Sequence, residues 1–236
     1  RVVGVHWRAD GVPDPARSLR LDLSDRDATM AAIETLRPAA VIHAAAANPG
    51  APADRIDPDN VGAARNLAEA VAAIGPSCRL VFVSTDVLHR GNAAPYADDA
   101  APDPLSAYGR AKAVAESEIQ QRVPTAVSVR TSLIYGLDEL DRGTRGFVER
   151  LGRGETVELF HDAVRQPVWI DALAAALVSL ALDLPDVVGT LNVAGEQALS
   201  RAAYGRRLLA WWGVDGAEQV RDVSAARFPD VPLDLR

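Results

Sequence analysis

Short apolar runs alternate with longer stretches of helical periodicity along most of this chain, and that alternation limits the available folds more than any other feature. The strand-like runs are Val2–Trp7, Ser18–Leu21, Ala40–His43, Leu80–Ser84, Ala126–Arg130 and Thr190–Val193. Helical patterns fall between them at Asp27–Leu36, Asn60–Ala73, Leu105–Gln121 and Asp171–Leu182. Several of the runs lack polar alternation, which is expected when helices cover both faces of a sheet. Repeated strand–helix–strand order predicts an α/β fold with a doubly wound parallel sheet of Rossmann type. In such sheets ligands bind beyond the carboxyl ends of the strands. Arg8, Asp22, Ala44–Ala46, Thr85 and Thr131 all fall at those ends.

After Tyr135-Gly136 the order loosens. We expect residues 1–135 to form a dinucleotide-binding core and residues 136–236 a smaller substrate lobe, with residues of about 169–195 returning to the core. The segment 89–104, rich in Ala, Pro and Asp, reads as a surface flap near the site.

A chain of 236 residues with net charge −7 and no Lys/Arg run argues against a nucleic-acid surface. Its single cysteine, Cys78, allows no disulfide framework and no thiolate metal site. His43, His89 and His161 are not at ligand spacing. With no apolar run of about 18 residues and no signal-peptide pattern, we expect a cytoplasmic protein with no membrane partner.

The chemistry concentrates at Tyr108-Gly-Arg-Ala-Lys112, at the start of a helical pattern and downstream of Val83-Ser84-Thr85. One helical turn separates the phenol from the amine, so both lie on one face. A phenol with a pKa of about 10 is a poor acid–base group at neutral pH, and an ammonium beside it favours the phenolate. A strand-end hydroxyl such as Thr85 would hold a carbonyl oxygen next to the phenol. Tyr-x-x-x-Lys by itself is a weak pattern, more often an exposed helix face.

Ordered context strengthens it. Leu21-Asp22-Leu23, Val41-Ile42-His43-Ala44-Ala45-Ala46, Asn60, Phe82-Val83-Ser84-Thr85-Asp86, Tyr108–Lys112 and Val129–Gly136 follow one another at domain-consistent spacing. In this order the chain resembles the extended short-chain dehydrogenase/reductase family, and within it the dTDP-4-dehydrorhamnose reductase group of nucleotide-sugar reductases. The resemblance implies that Tyr108 protonates a sugar ketone held by Thr85, and that Lys112 binds the nicotinamide ribose and acidifies Tyr108. It places the backbone of Ala44, Ala45 and Ala46 against the cofactor, and Asp22 with Leu23 near the adenine. Plainer readings stand beside these. Asp22 suits a turn or helix cap, Ala44–Ala46 suit close helix packing, Asn60 suits an N-cap, and Asp86 suits a structural role.

A dinucleotide site preferring NAD usually has a carboxylate at the end of its second strand. Here that place holds His6-Trp7-Arg8, and Arg8 suits a 2′-phosphate, so NADPH is expected over NADH, with a role for Mg²⁺ left open. Asp86, Thr131, Ser132, Arg165 and Gln166 are the candidate substrate contacts, Arg165 because a guanidinium matches a diphosphate. The glycine-rich turn that cradles a pyrophosphate is not among these residues. Arg1 in place of Met leads us to expect that a strand, turn and helix of roughly 30 residues precede Val2.

The resemblance thus implies a reductase in dTDP-rhamnose-type biosynthesis that takes a nucleotide sugar, with a homodimer as a further expectation. Val87 after Asp86 removes the second carboxylate of a dehydratase. An NAD-dependent nucleotide-sugar epimerase and a non-catalytic NADP-binding regulatory subunit are the alternatives.

Overall fold

The structure is a computed structural model and describes residues 2–7, 17–48, 50–138, 140 and 142–236. In chain order it runs β1 (Gly4–His6), β2 (Ser18–Arg20), α1 (Arg26–Leu36), β3 (Ala40–His43), α2 (Ala53–Asp57) and α3 (Ala63–Ile74). β4 (Arg79–Thr85), α4 (Ala107–Arg122), β5 (Val127–Thr131), β6 (Ile134–Tyr135) and α5 (Arg142–Gly152) follow. Then come β7 (Val157–Phe160), β8 (Val164–Arg165), β9 (Val168–Trp169), α6 (Ile170–Leu182) and β10 (Gly189–Val193). β11 (Leu199–Ser200), α7 (Arg201–Trp211) and β12 (Val220–Val223) complete it. A π-helical turn at Pro58–Gly62 leads into α3.

β10, β5, β4 and β3 hydrogen-bond in that order, and β3 pairs with β4 in parallel with His43 opposite Phe82. β1 and β2 form a second parallel pair. β5 is buried at every position, its polar Ser128, Arg130 and Thr131 included, as a central strand covered on both faces should be. This is the α/β, parallel-sheet class that the alternation predicts.

The chain divides into two compact units. The first comprises residues up to Ser84 with Ala107–Val129 and Leu177–Thr190. Its core joins Ile33, Leu67, Val71, Leu80, Phe82, Ile119 and Val123. Alanines at 64, 68, 70 and 115 let the helices approach this core closely. Asp25 starts α1 by accepting a hydrogen bond from the Ala28 N–H at 3.0 Å. Asn66 of α3 donates to the carbonyls of Leu23 and Ser24, which pins the loop after β2.

The second unit comprises Thr85–Ser106, Arg130–Ala176 and Leu191–Arg236. It uses small strand pairs: β7 with β12, β8 with β11 and β6 with β9. Its core joins Leu151, Val157, Leu209 and Val220. Ser200 caps α7 through the Ala203 N–H at 3.1 Å. The last residues lace this unit together. Val164 donates to the Leu233 carbonyl, Leu235 to Val164, Asp234 to Gly91, and Tyr96 to Arg236. Gly91 sits at φ +85°, and a Cβ there would meet the Leu233 nitrogen at 2.6 Å, so only glycine admits the segment.

Among the described residues no helix is long and apolar enough to cross a membrane.

Candidate active site

Within the first unit, α4 carries Tyr108 and Lys112 one turn apart. Tyr108 is half-buried, whereas Lys112 is 1 % exposed. The Lys112 Nζ donates to the Val83 carbonyl at 2.7 Å and stands 3.9 Å over the Phe82 ring. Among the described residues that is one hydrogen bond of the three an ammonium can donate. Burial lowers the Lys112 pKa from 10.5 to about 7, with the Glu116 carboxylate opposing. Burial thus weakens the charge expected to acidify Tyr108.

His43 ends β3 with its ring 5.3 Å from Phe82. Burial first, and the Lys112 charge second, push its pKa from 6.5 to about 3, so it is neutral. Beyond it Ala44, Ala45 and Ala46 are exposed, with no described helix covering them. Asn60 is buried within the π-helical turn and donates to the carbonyls of Ala47 and Ile56. It does not cap a helix; it ties down the segment leaving β3. His43 Nε2, Asn60 Oδ1 and Ser84 Oγ have no hydrogen-bond partner among the described residues.

Buried polar atoms without partners, an ammonium with protons to spare and an open backbone at Ala44–Ala46 fit a ribose and its diphosphate. The Asp22 Oδ1 accepts from the Ser24 amide at 2.9 Å and hydroxyl at 2.7 Å, as a turn residue does. The Leu23 carbonyl accepts from Asn66. Arg8 lies outside the described residues.

Within the second unit, Thr85 caps the short helix Asp86–Leu88, its Oγ1 accepting from the Val87 N–H at 3.3 Å. That occupies a lone pair and leaves the hydroxyl proton to donate, the polarity a carbonyl oxygen requires. Asp86 is mostly buried, and its Oδ2 has no hydrogen-bond partner among the described residues. Burial raises its pKa, and Arg165, Ser132, Arg201 and the Val87 amide oppose in that order.

The Arg165 Nε lies 4.0 Å from Asp86 Oδ2. The rest of that guanidinium, expected on a substrate diphosphate, donates instead to the carbonyls of Val164, Pro232 and Leu233, and the side chain is 2 % exposed. Gln166, expected beside it, donates to the Gly195 carbonyl at 3.0 Å. Thr131 and Ser132 are buried, and the Thr131 hydroxyl has no hydrogen-bond partner among the described residues, whereas Ser132 lies beside Asp86.

The arginine that sequence reasoning missed is Arg201, which opens α7 and feels the Asp86 charge. Ser200 before it is a recognisable cap, but nothing in the sequence joins α7 to a carboxylate 115 residues earlier.

A family model described as "RmlD substrate binding domain" matches residues 7–232. The chain belongs to that family. RmlD-type relatives include the probable dTDP-4,6-dihydroxy-2-methyloxan-3-one 4-ketoreductase of Streptomyces antibioticus, 34 % identical over 183 residues. The match takes in 73 % of this chain and 59 % of the relative. The methionine adenosyltransferase 2 subunit beta of Danio rerio is 28 % identical over 172 residues, covering 69 % of this chain and 51 % of that protein. The chain thus spans between half and three fifths of the length of these curated relatives. In fold it resembles the dTDP-4-dehydrorhamnose reductase of Bacillus anthracis solved with NADP, at TM-score 0.78 and 21 % identity, over 92 % of this chain and 78 % of that one. The likeness identifies the parallel α/β core as Rossmann-type.

Proposed function

We propose that this chain carries the catalytic residues of a reductase that uses NADPH to reduce the 4-keto group of a nucleotide-activated deoxysugar. The observation that carries the reading is Lys112, buried one turn from Tyr108 with ammonium protons unspent, in a chain of the RmlD family. A reduced nicotinamide, when bound, supplies hydride to the carbonyl carbon. Tyr108 gives its proton to the ketone oxygen, so carbonyl, hydride and proton make the alcohol. The Thr85 hydroxyl would serve as a hydrogen-bond donor to a carbonyl oxygen. Lys112, with protons to spare beside the Val83 carbonyl, would donate to the ribose hydroxyls, and a polar ligand there would favour the charge that burial suppresses.

Residues 1–135 would serve the cofactor, with Arg8 on its 2′-phosphate, and 136–236 the substrate. NADPH should then give the higher kcat/KM. A cytoplasmic homodimer completes the reading.

Tyr108→Phe is expected to lower turnover by the roughly 10²–10⁴-fold typical of a lost general acid, with KM little changed. NADPH consumption by full-length protein with a dTDP-4-keto-6-deoxysugar measures it; wild-type turnover in the variant removes Tyr108 from the mechanism. Similarity to the methionine adenosyltransferase subunit supports a second reading, a non-catalytic NADP-binding partner. It predicts bound cofactor without consumption. An epimerase would retain its nicotinamide through purification and leave it unconsumed while converting substrate.

A further inference from the structure

Arg201 begins α7, its backbone N–H donating to the Ala163 carbonyl at 2.9 Å and its guanidinium 5.9 Å from the Phe160 ring centroid. Among the described residues the guanidinium has no hydrogen-bond acceptor and no ion pair. It borders a pocket of about 240 Å³ whose other walls include Leu133, Phe147, Leu159, Tyr204 and Leu208. Every one of these residues belongs to the second unit.

The charges of this region do not balance. The Asp86 charge acts on both Arg165 and Arg201, and the Arg201 charge makes Arg165 harder to keep protonated. Arg165 is spent on three carbonyls and on the carboxylate, while burial pushes that carboxylate toward its neutral form. A guanidinium cannot shed its proton, so the second positive charge needs an anion. Its fork of N–H donors matches a phosphate, and the apolar walls suit the flat face of a ring.

We propose that Arg201 is the residue that recognises the phosphate of the substrate, with the adjoining pocket receiving a ring of the same ligand. The ligand class is a nucleoside diphosphate, and the assignment deepens the nucleotide-sugar reading and rests on it. Arg165 is then an internal brace, and Arg201 takes the role that sequence reasoning gave to Arg165.

Calorimetric titration of the full chain with dTDP, inorganic pyrophosphate and thymidine tests this. Arg201→Met should weaken dTDP and pyrophosphate about 10- to 100-fold, the loss expected for a charge-assisted hydrogen bond, and leave thymidine nearly unchanged. Arg201→Lys should fall between, because a point charge replaces the fork, and it serves where the methionine variant fails to fold. Wild-type protein that binds neither anion, or variants that bind both as wild type does, overturn the assignment.

Turnover with a 4-keto sugar nucleotide separates the two claims. Wild-type activity with unchanged KM in Arg201→Met removes Arg201 and keeps the reductase. Anion binding lost in the variant, with no turnover in wild type, removes the reductase and keeps the anion site.

Discussion

The two units bury positive charge in opposite ways. In the first, Lys112 has one carbonyl and a phenyl face, and its pKa falls to about 7. In the second, Arg165 is as thoroughly buried but meets three carbonyls and a carboxylate. The difference follows from the groups. An amine escapes desolvation by losing a proton, so its surroundings can be sparse and its charge left to a ligand. A guanidinium has no such escape and must be surrounded. The first arrangement suits proton chemistry; the second suits fixing a backbone.

Arg165→Met should break the second arrangement most severely. The Val164, Pro232 and Leu233 carbonyls each lose a donor and Asp86 loses a neighbouring cation, and destabilisation of about 3–5 kcal/mol is expected in denaturant unfolding. Arg165→Lys sharpens the contrast: the amine can deprotonate and reaches fewer carbonyls, so most of the loss should persist. A lysine variant as stable as wild type would erase the distinction.

His43→Asn tests the neutral side of the first unit. The His43 pKa is about 3 in the folded chain against 6.5 unfolded, so the unfolded chain binds more protons between those values. Wild-type stability should therefore fall as pH drops from 6.5 toward 3, by on the order of 4 kcal/mol from this group. The variant should lose that slope. An unchanged slope in thermal melts across that range would place the titration elsewhere.

Lys112→Met has the smaller effect on folding and a sign opposite to most core changes. The folded pKa of about 7 lies below the unfolded 10.5, so wild type gains stability as pH rises between them. The variant should be more stable than wild type by on the order of 3 kcal/mol at pH 6, an advantage that shrinks toward pH 10.5. It should also be inactive. Destabilisation at pH 6 would show that Lys112 stays charged and paired. At the far end, Arg26→Ala breaks an exposed 2.8 Å pair with Glu69 and should cost under about 1 kcal/mol.

Legibility in the sequence followed the range of the interactions. The strand at Ala40–His43 was readable to the residue, and the helices at 26–36 and 107–122 to within two residues. Each is specified by its own apolar period and, in α1, by the Asp25 cap. The two-residue strands β6, β8, β9 and β11 were not readable, because two residues hold no period. The candidate site divided in the same way. Tyr108 and Lys112 are visible as one turn of one helix. The internal partners of Arg165 were not readable because Pro232 and Leu233 are 67 and 68 residues away.

Sequence alone determined the alternation that builds a parallel sheet, and the residue types that reach its strand ends. Both are matters of local period and covalent spacing. Tertiary structure alone decided which cations keep their charge: desolvation depends on everything packed around a group, and no stretch of sequence contains its own surroundings.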